Sequence, residues 1–162
     1  MRSLDISNGE GVGVSLFVQG CDKIPHCKNC FNPETWDFNG GKEWTEETKE
    51  KFMELIDRPY IKRISILGGE PLASKNYLTI RYLLTEIKNK FPEKQIWLYS
   101  GYTFEHLSRE QLRTIIYTDI LVDGEYIDEQ RDITKKWAGS KNQRVIDVKQ
   151  SIKNNKIILY CD

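Results

Sequence analysis

The chain has 162 residues and a formal net charge of zero, 24 lysines and arginines standing against 24 aspartates and glutamates. That length predicts a single domain spanning 1–162, long enough to bury a core and short for two catalytic domains. The charges are balanced and interspersed, which excludes a broad polyanion-binding face, so neither a nucleic acid nor a membrane is expected as partner.

In chain order, hydrophobic periodicity predicts a strand over 12–18 and a helix over 46–56, with Phe52, Leu55 and Ile56 on one face and Thr45 or a neighbour as cap. A second strand over 62–67 runs into Gly68-Gly69-Glu70-Pro71, followed by a helix over 76–90 carrying Leu78, Tyr82, Leu83 and Ile87. A third strand over 95–99 breaks at Ser100-Gly101, a short helix covers 107–116, and a fourth strand over 120–122 ends at Asp123-Gly124. Short strands over 144–147 and 156–160, joined by a polar Lys/Asn turn, read as a closing edge or hairpin. Repeated β/α units imply an α/β fold with a mainly parallel sheet, whose functional groups gather at the carboxyl ends of the strands. Four unusual clusters fall at those ends.

The first of them holds Cys21, Cys27 and Cys30; the fourth cysteine, Cys161, is remote and reads as a tail thiol. Three clustered cysteines are not the dispersed pattern of a disulfide scaffold and suit a reducing compartment. No segment reaches the roughly 18 to 20 apolar residues of a membrane span, and the N-terminal residues lack a secretory apolar region, so a cytoplasmic location is expected. Three thiolates leave one position open in a four-ligand site. From spacing alone, structural zinc with His26 as fourth ligand stays open beside a reactive metal centre. Glu70 reads as a tie for the strand end rather than a base, and Gln143-Arg144 as a solvated surface pair.

Cys21-x5-Cys27-x2-Cys30-Phe31-Asn32-Pro33-Glu34-Thr35-Trp36, together with Gly68-Gly69-Glu70-Pro71, resembles the radical S-adenosylmethionine enzymes of the glycyl-radical-activating family. The likeness is greatest to the branch that acts on anaerobic ribonucleoside-triphosphate reductase. It extends through Gly20, Trp97-Leu98-Tyr99-Ser100-Gly101-Tyr102-Thr103, Leu121-Val122-Asp123-Gly124, Arg131-Asp132 and Gly139-Ser140-x2-Gln143-Arg144, nearly the whole chain. The family's usual spacing is Cys-x3-Cys-x2-Cys, so the first interval here is two residues longer; extra loop length costs little entropy where the ends still meet. Asn29 stands where many members carry an aromatic residue.

The resemblance implies a partial, open (β/α) barrel of the radical SAM type and a [4Fe-4S] cluster on Cys21, Cys27 and Cys30, with S-adenosyl-L-methionine on the fourth iron. It implies reductive cleavage of that cofactor to a 5'-deoxyadenosyl radical, which takes hydrogen from a glycine of the reductase large subunit. Positioning supplies such catalysis, so no catalytic His or Ser is expected. The implied cofactor-binding residues are Asn29, Cys30, Phe31, Gly68, Gly69, Ser100 and Asp123, with Asn32, Pro33 and Trp36 shaping the cysteine loop. Glycines at 68 and 69 would let backbone carbonyls approach the cofactor ammonium. The implied partners are the reductase large subunit and an electron donor such as flavodoxin. An activase of another glycyl radical enzyme, such as pyruvate formate-lyase, shares these residues.

Overall fold

A computed structural model describes residues 1–162. Seven strands form one sheet in sequence order: β1 (Arg2–Asp5), β2 (Gly13–Val18), β3 (Arg63–Gly68), β4 (Gln95–Tyr99), β5 (Ile120–Asp123), β6 (Arg144–Asp147) and β7 (Leu159–Cys161). The central β2 to β5 are parallel to one another. The flanking pairings β1 with β2, β5 with β6 and β6 with β7 are antiparallel. The sheet is therefore mixed, and the expectation of a mainly parallel sheet holds for its centre and not for its flanks.

Period-two alternation sorts the strands' side chains onto two faces. Val14, Leu16, Ile64, Ile66, Ile96, Leu98, Leu121 and Ile146 pack with the helices in one buried cluster. The helices are α1 (Glu46–Ile56), α2 (Tyr77–Lys90), α3 (Arg109–Ile115) and α4 (Val148–Asn154). They contribute Phe52, Met53 and Ile56 from α1, Ile80, Leu83, Leu84 and Ile87 from α2, Ile115 from α3 and Val148 from α4. The opposite face carries a small cluster of Trp97, Ile120, Val122 and Val145. Beside it lies a buried polar group, in which the Arg63 guanidinium donates to the carbonyls of Asp5 (2.7 Å) and Asn8 (2.7 Å) and lies 3.7 Å from the Asp5 carboxylate. Asp5 also accepts from the Ser15 hydroxyl and the Asn8 amide, so this buried charge is fully compensated.

Three elements differ from expectation. The predicted Lys/Asn turn before the last strand is α4, capped by Asp147, whose carboxylate accepts from Gln150 N at 2.9 Å, and ended by Asn155 at φ +50°. The last strand is correspondingly shorter and later, Leu159–Cys161 in place of 156–160. β1 is an added strand in which only Asp5 is buried. No helix is long and apolar enough to cross a membrane.

Candidate functional site

Because β2 to β5 run parallel, their carboxyl ends share one rim, and each is followed by one of the clusters seen in the sequence. The loop after β2 is stitched at its root by backbone bonds: Gly20 N to Thr35 O (2.7 Å), Cys21 N to Trp36 O (3.0 Å) and Glu70 N to Gly20 O (2.7 Å). Asn76, just before α2, donates to the carbonyls of Gln19 (3.1 Å) and Glu70 (3.0 Å), joining the cysteine loop to the loop after β3. Gly68 sits at φ +110°, and a Cβ at Gly69 would lie 2.3 Å from Gly20 O and 2.8 Å from Thr35 O. Glycine is required there because two backbones cross in contact.

The rim opens into a cavity of about 510 Å³ lined by all three thiols together with Phe31, Gly68, Gly69, Glu70, Ser100 and Gly101. All three cysteines are half-buried free thiols. Burial pushes the Cys21 and Cys27 thiols up, partly offset by backbone N–H groups of Lys23 and Tyr126 respectively. Cys30 Sγ accepts from Asn32 N at 3.4 Å. Glu70 is almost fully buried and binds the loop after β4, accepting from Ser100 Oγ (2.8 Å), Gly101 N (2.7 Å) and its own loop's Leu72 N (2.9 Å). Burial pushes its carboxyl up to about 7, against those three donors.

The donor set fits a thiolate-bound iron–sulfur cluster: three soft sulfurs on one cavity, with no disulfide among them. No three His, Cys, Asp or Glu side chains, the three thiols included, are gathered around one point. His26 is committed elsewhere. Its ring stacks on Trp36 at 4.3 Å and 4°, and Nε2 lies 3.2 Å from Cys21 O, which corrects the alternative of His26 as a zinc ligand.

Two further expectations are corrected. Asn29 is exposed, in the left-handed region at φ +56°, and its side-chain amide donates to Asp128 at 2.8 Å, outside the cavity. Asp123 is fully buried but turned to the helical side of the sheet. Its carboxylate accepts from Phe104 N (2.8 Å) and from Arg144 Nε (3.0 Å) and Nη2 (2.6 Å), leaving nothing for a ligand. Arg144 also pairs with Glu105 at 2.7 Å, so it is a clasp between loops rather than a solvated residue. Gln143 likewise binds backbone, accepting from Gly139 N at 2.8 Å and donating to Gly124 O at 3.0 Å.

Several lining residues carried no signal in the sequence: Lys23, Glu125, Tyr126 and Trp137. Tyr126 packs against Phe31 at 4.8 Å between ring centroids. These positions lie in irregular segments, where neither periodicity nor motif marks them.

Residues 7–146 match the family described as the 4Fe-4S single cluster domain, so the chain is of that iron–sulfur class. Curated relatives narrow it. A protein of Vibrio cholerae is 38% identical over 142 residues, covering 86% of this chain and 90% of its own length. One of Enterobacteria phage T4 is 39% identical over 142 residues, covering 87% of each. One of Escherichia coli (strain K12) is 35% identical over 144 residues, covering 88% of this chain and 92% of its own. Each is an anaerobic ribonucleoside-triphosphate reductase-activating protein, and the chain belongs to that family.

Proposed function

We propose that the chain activates anaerobic ribonucleoside-triphosphate reductase as a radical S-adenosylmethionine enzyme, with residues 1–162 acting as one domain. The observation that carries this reading is the meeting of Cys21, Cys27 and Cys30 with Gly68 and Gly69 on one cavity, within a match to a 4Fe-4S domain. The consecutive order of β2 to β5, with α1 to α3 packed on one face, supports a partial, open (β/α) barrel of the radical SAM type. A [4Fe-4S] cluster held by Cys21, Cys27 and Cys30 would supply the electron for reductive cleavage of S-adenosylmethionine, the chemistry needed to take hydrogen from a glycine of the reductase large subunit.

The chain's own residues hold and orient. Cys21, Cys27 and Cys30 are the cluster ligands, Gly68 and Gly69 bring backbone to the cofactor, and Ser100 and Phe31 line its walls. Glu70 fixes the spacing between the loops after β3 and β4, so that the rim is preformed rather than assembled on binding. A one-electron donor such as flavodoxin, acting in the cytoplasm, completes the reaction. The test is electron paramagnetic resonance of the anaerobically reconstituted, dithionite-reduced protein. The reduced-cluster signal shifts on adding S-adenosylmethionine, whereas a signal indifferent to it refutes direct ligation. Cys27→Ala abolishes the cluster, and an intact cluster in that variant refutes the ligand assignment.

A further inference from the structure

Lys23 lies in the interval between Cys21 and Cys27 that is two residues longer than the family's usual spacing, and its side chain lines the cavity. The ammonium spans the mouth. Nζ lies 3.3 Å from Glu125 Oε2 in the loop after β5, 3.5 Å from Gly101 O after β4, and 5.6 Å from the centroid of the Tyr102 ring. An ammonium has three donors, and neither polar contact is short; a charge-assisted N–H···O bond runs at about 2.7–2.9 Å. The side chain is 25% exposed against 49% for Glu125, so the acid is the more solvated and more displaceable member of the pair.

The other charged groups on this cavity are engaged differently. Arg2 lies over the Phe17 ring at 4.9 Å, and Lys135 donates to Lys141 O at 3.0 Å. Glu70 is almost fully buried behind three donors. Lys23 is thus the cation held over the rim by one weak ion pair, on the same loop as the thiols. A ligand carboxylate arriving in the cavity can take its donors at the expense of Glu125, whose carboxylate then returns to water at little cost.

We infer that Lys23 is an anion-binding residue of this cavity, which recognises the α-carboxylate of the amino-acid end of S-adenosylmethionine by exchanging its Glu125 partner for the ligand. This rests on the proposed cofactor. It assigns to the lengthened cysteine loop a binding role, where the spacing alone marks only a departure.

The test is equilibrium dialysis of the anaerobically reconstituted protein, with iron content matched, against S-adenosylmethionine and against its decarboxylated analogue. Lys23→Met, which keeps the apolar stem over Tyr102, weakens binding of S-adenosylmethionine about tenfold, as expected for one charge-assisted bond, and leaves the analogue's affinity unchanged. Glu125→Gln does the opposite, tightening S-adenosylmethionine a few-fold by removing the competing carboxylate. Equal losses for both ligands in Lys23→Met would make the residue a structural strap and overturn the assignment, as would weaker binding in Glu125→Gln. A wild-type protein that binds neither ligand would overturn the cofactor reading, and this inference with it.

Discussion

Gly69 has no room for a side chain, because the carbonyls of Gly20 and Thr35 already occupy the space a Cβ would enter. The contact joins the loop after β3 to the root of the cysteine loop, so a substitution there displaces the cysteine loop as well as its own. Gly69→Ala is expected to destabilise the fold by about 1–3 kcal/mol and to lower iron retention after reconstitution. Denaturant unfolding and iron assay check this, and wild-type values in both would show that the loops part without cost. Asp5 offers a different test. Burial raises its carboxyl, but donors from Ser15, Asn8 and Ser7 outweigh burial and bring it down to about 2. A depressed folded-state value means stability that is present above the unfolded value near 4 and is lost as pH falls toward 2, on the order of 2 kcal/mol. Asp5→Asn is therefore less stable than wild type at pH 6, with a gap that narrows by pH 3; a gap independent of pH would contradict the linkage.

At the scale of elements, what was readable followed from periodicity. The strands predicted over 95–99 and 144–147 and the helix over 46–56 have the observed bounds, and the bounds of the other central strands and helices shift by one or two residues. Asp123 shows where reading stopped. It shares alternation parity with Leu121 on the helical face, but Ile120, Leu121 and Val122 are all apolar, so the sequence carries no sign of which face is which. α4 was missed because its buried side include Val148 and Ser151 while Ile152 is half exposed, too little apolar pattern to mark a helix. The signal that could have found it is Asp147, an acceptor at the N-cap three residues before Gln150. Asp147→Ala is expected to cost about 1 kcal/mol in thermal or denaturant unfolding, and a neutral result would mean α4 is held by packing alone.

At the scale of the whole molecule, one sheet with consecutive parallel strands gathers segments far apart in sequence onto a single rim. The cysteine loop, Gly68-Gly69-Glu70 and Ser100-Gly101 meet there through strand order, so the rim was legible from the β/α alternation before any contact was known. The far wall, with Tyr126, Trp137 and Gly139, comes from an irregular stretch after β5 and has no such rule to announce it. The N-terminal flank was equally silent, since β1 buries a single residue. The most direct test of the molecule's function is electron paramagnetic resonance of the reduced, reconstituted chain mixed anaerobically with S-adenosylmethionine and the large subunit of the anaerobic ribonucleoside-triphosphate reductase. The expected result is an organic radical on the large subunit, split into a doublet by the one remaining glycine α-hydrogen and absent when either the chain or the cofactor is omitted. Cofactor cleavage without any radical on the reductase would contradict it.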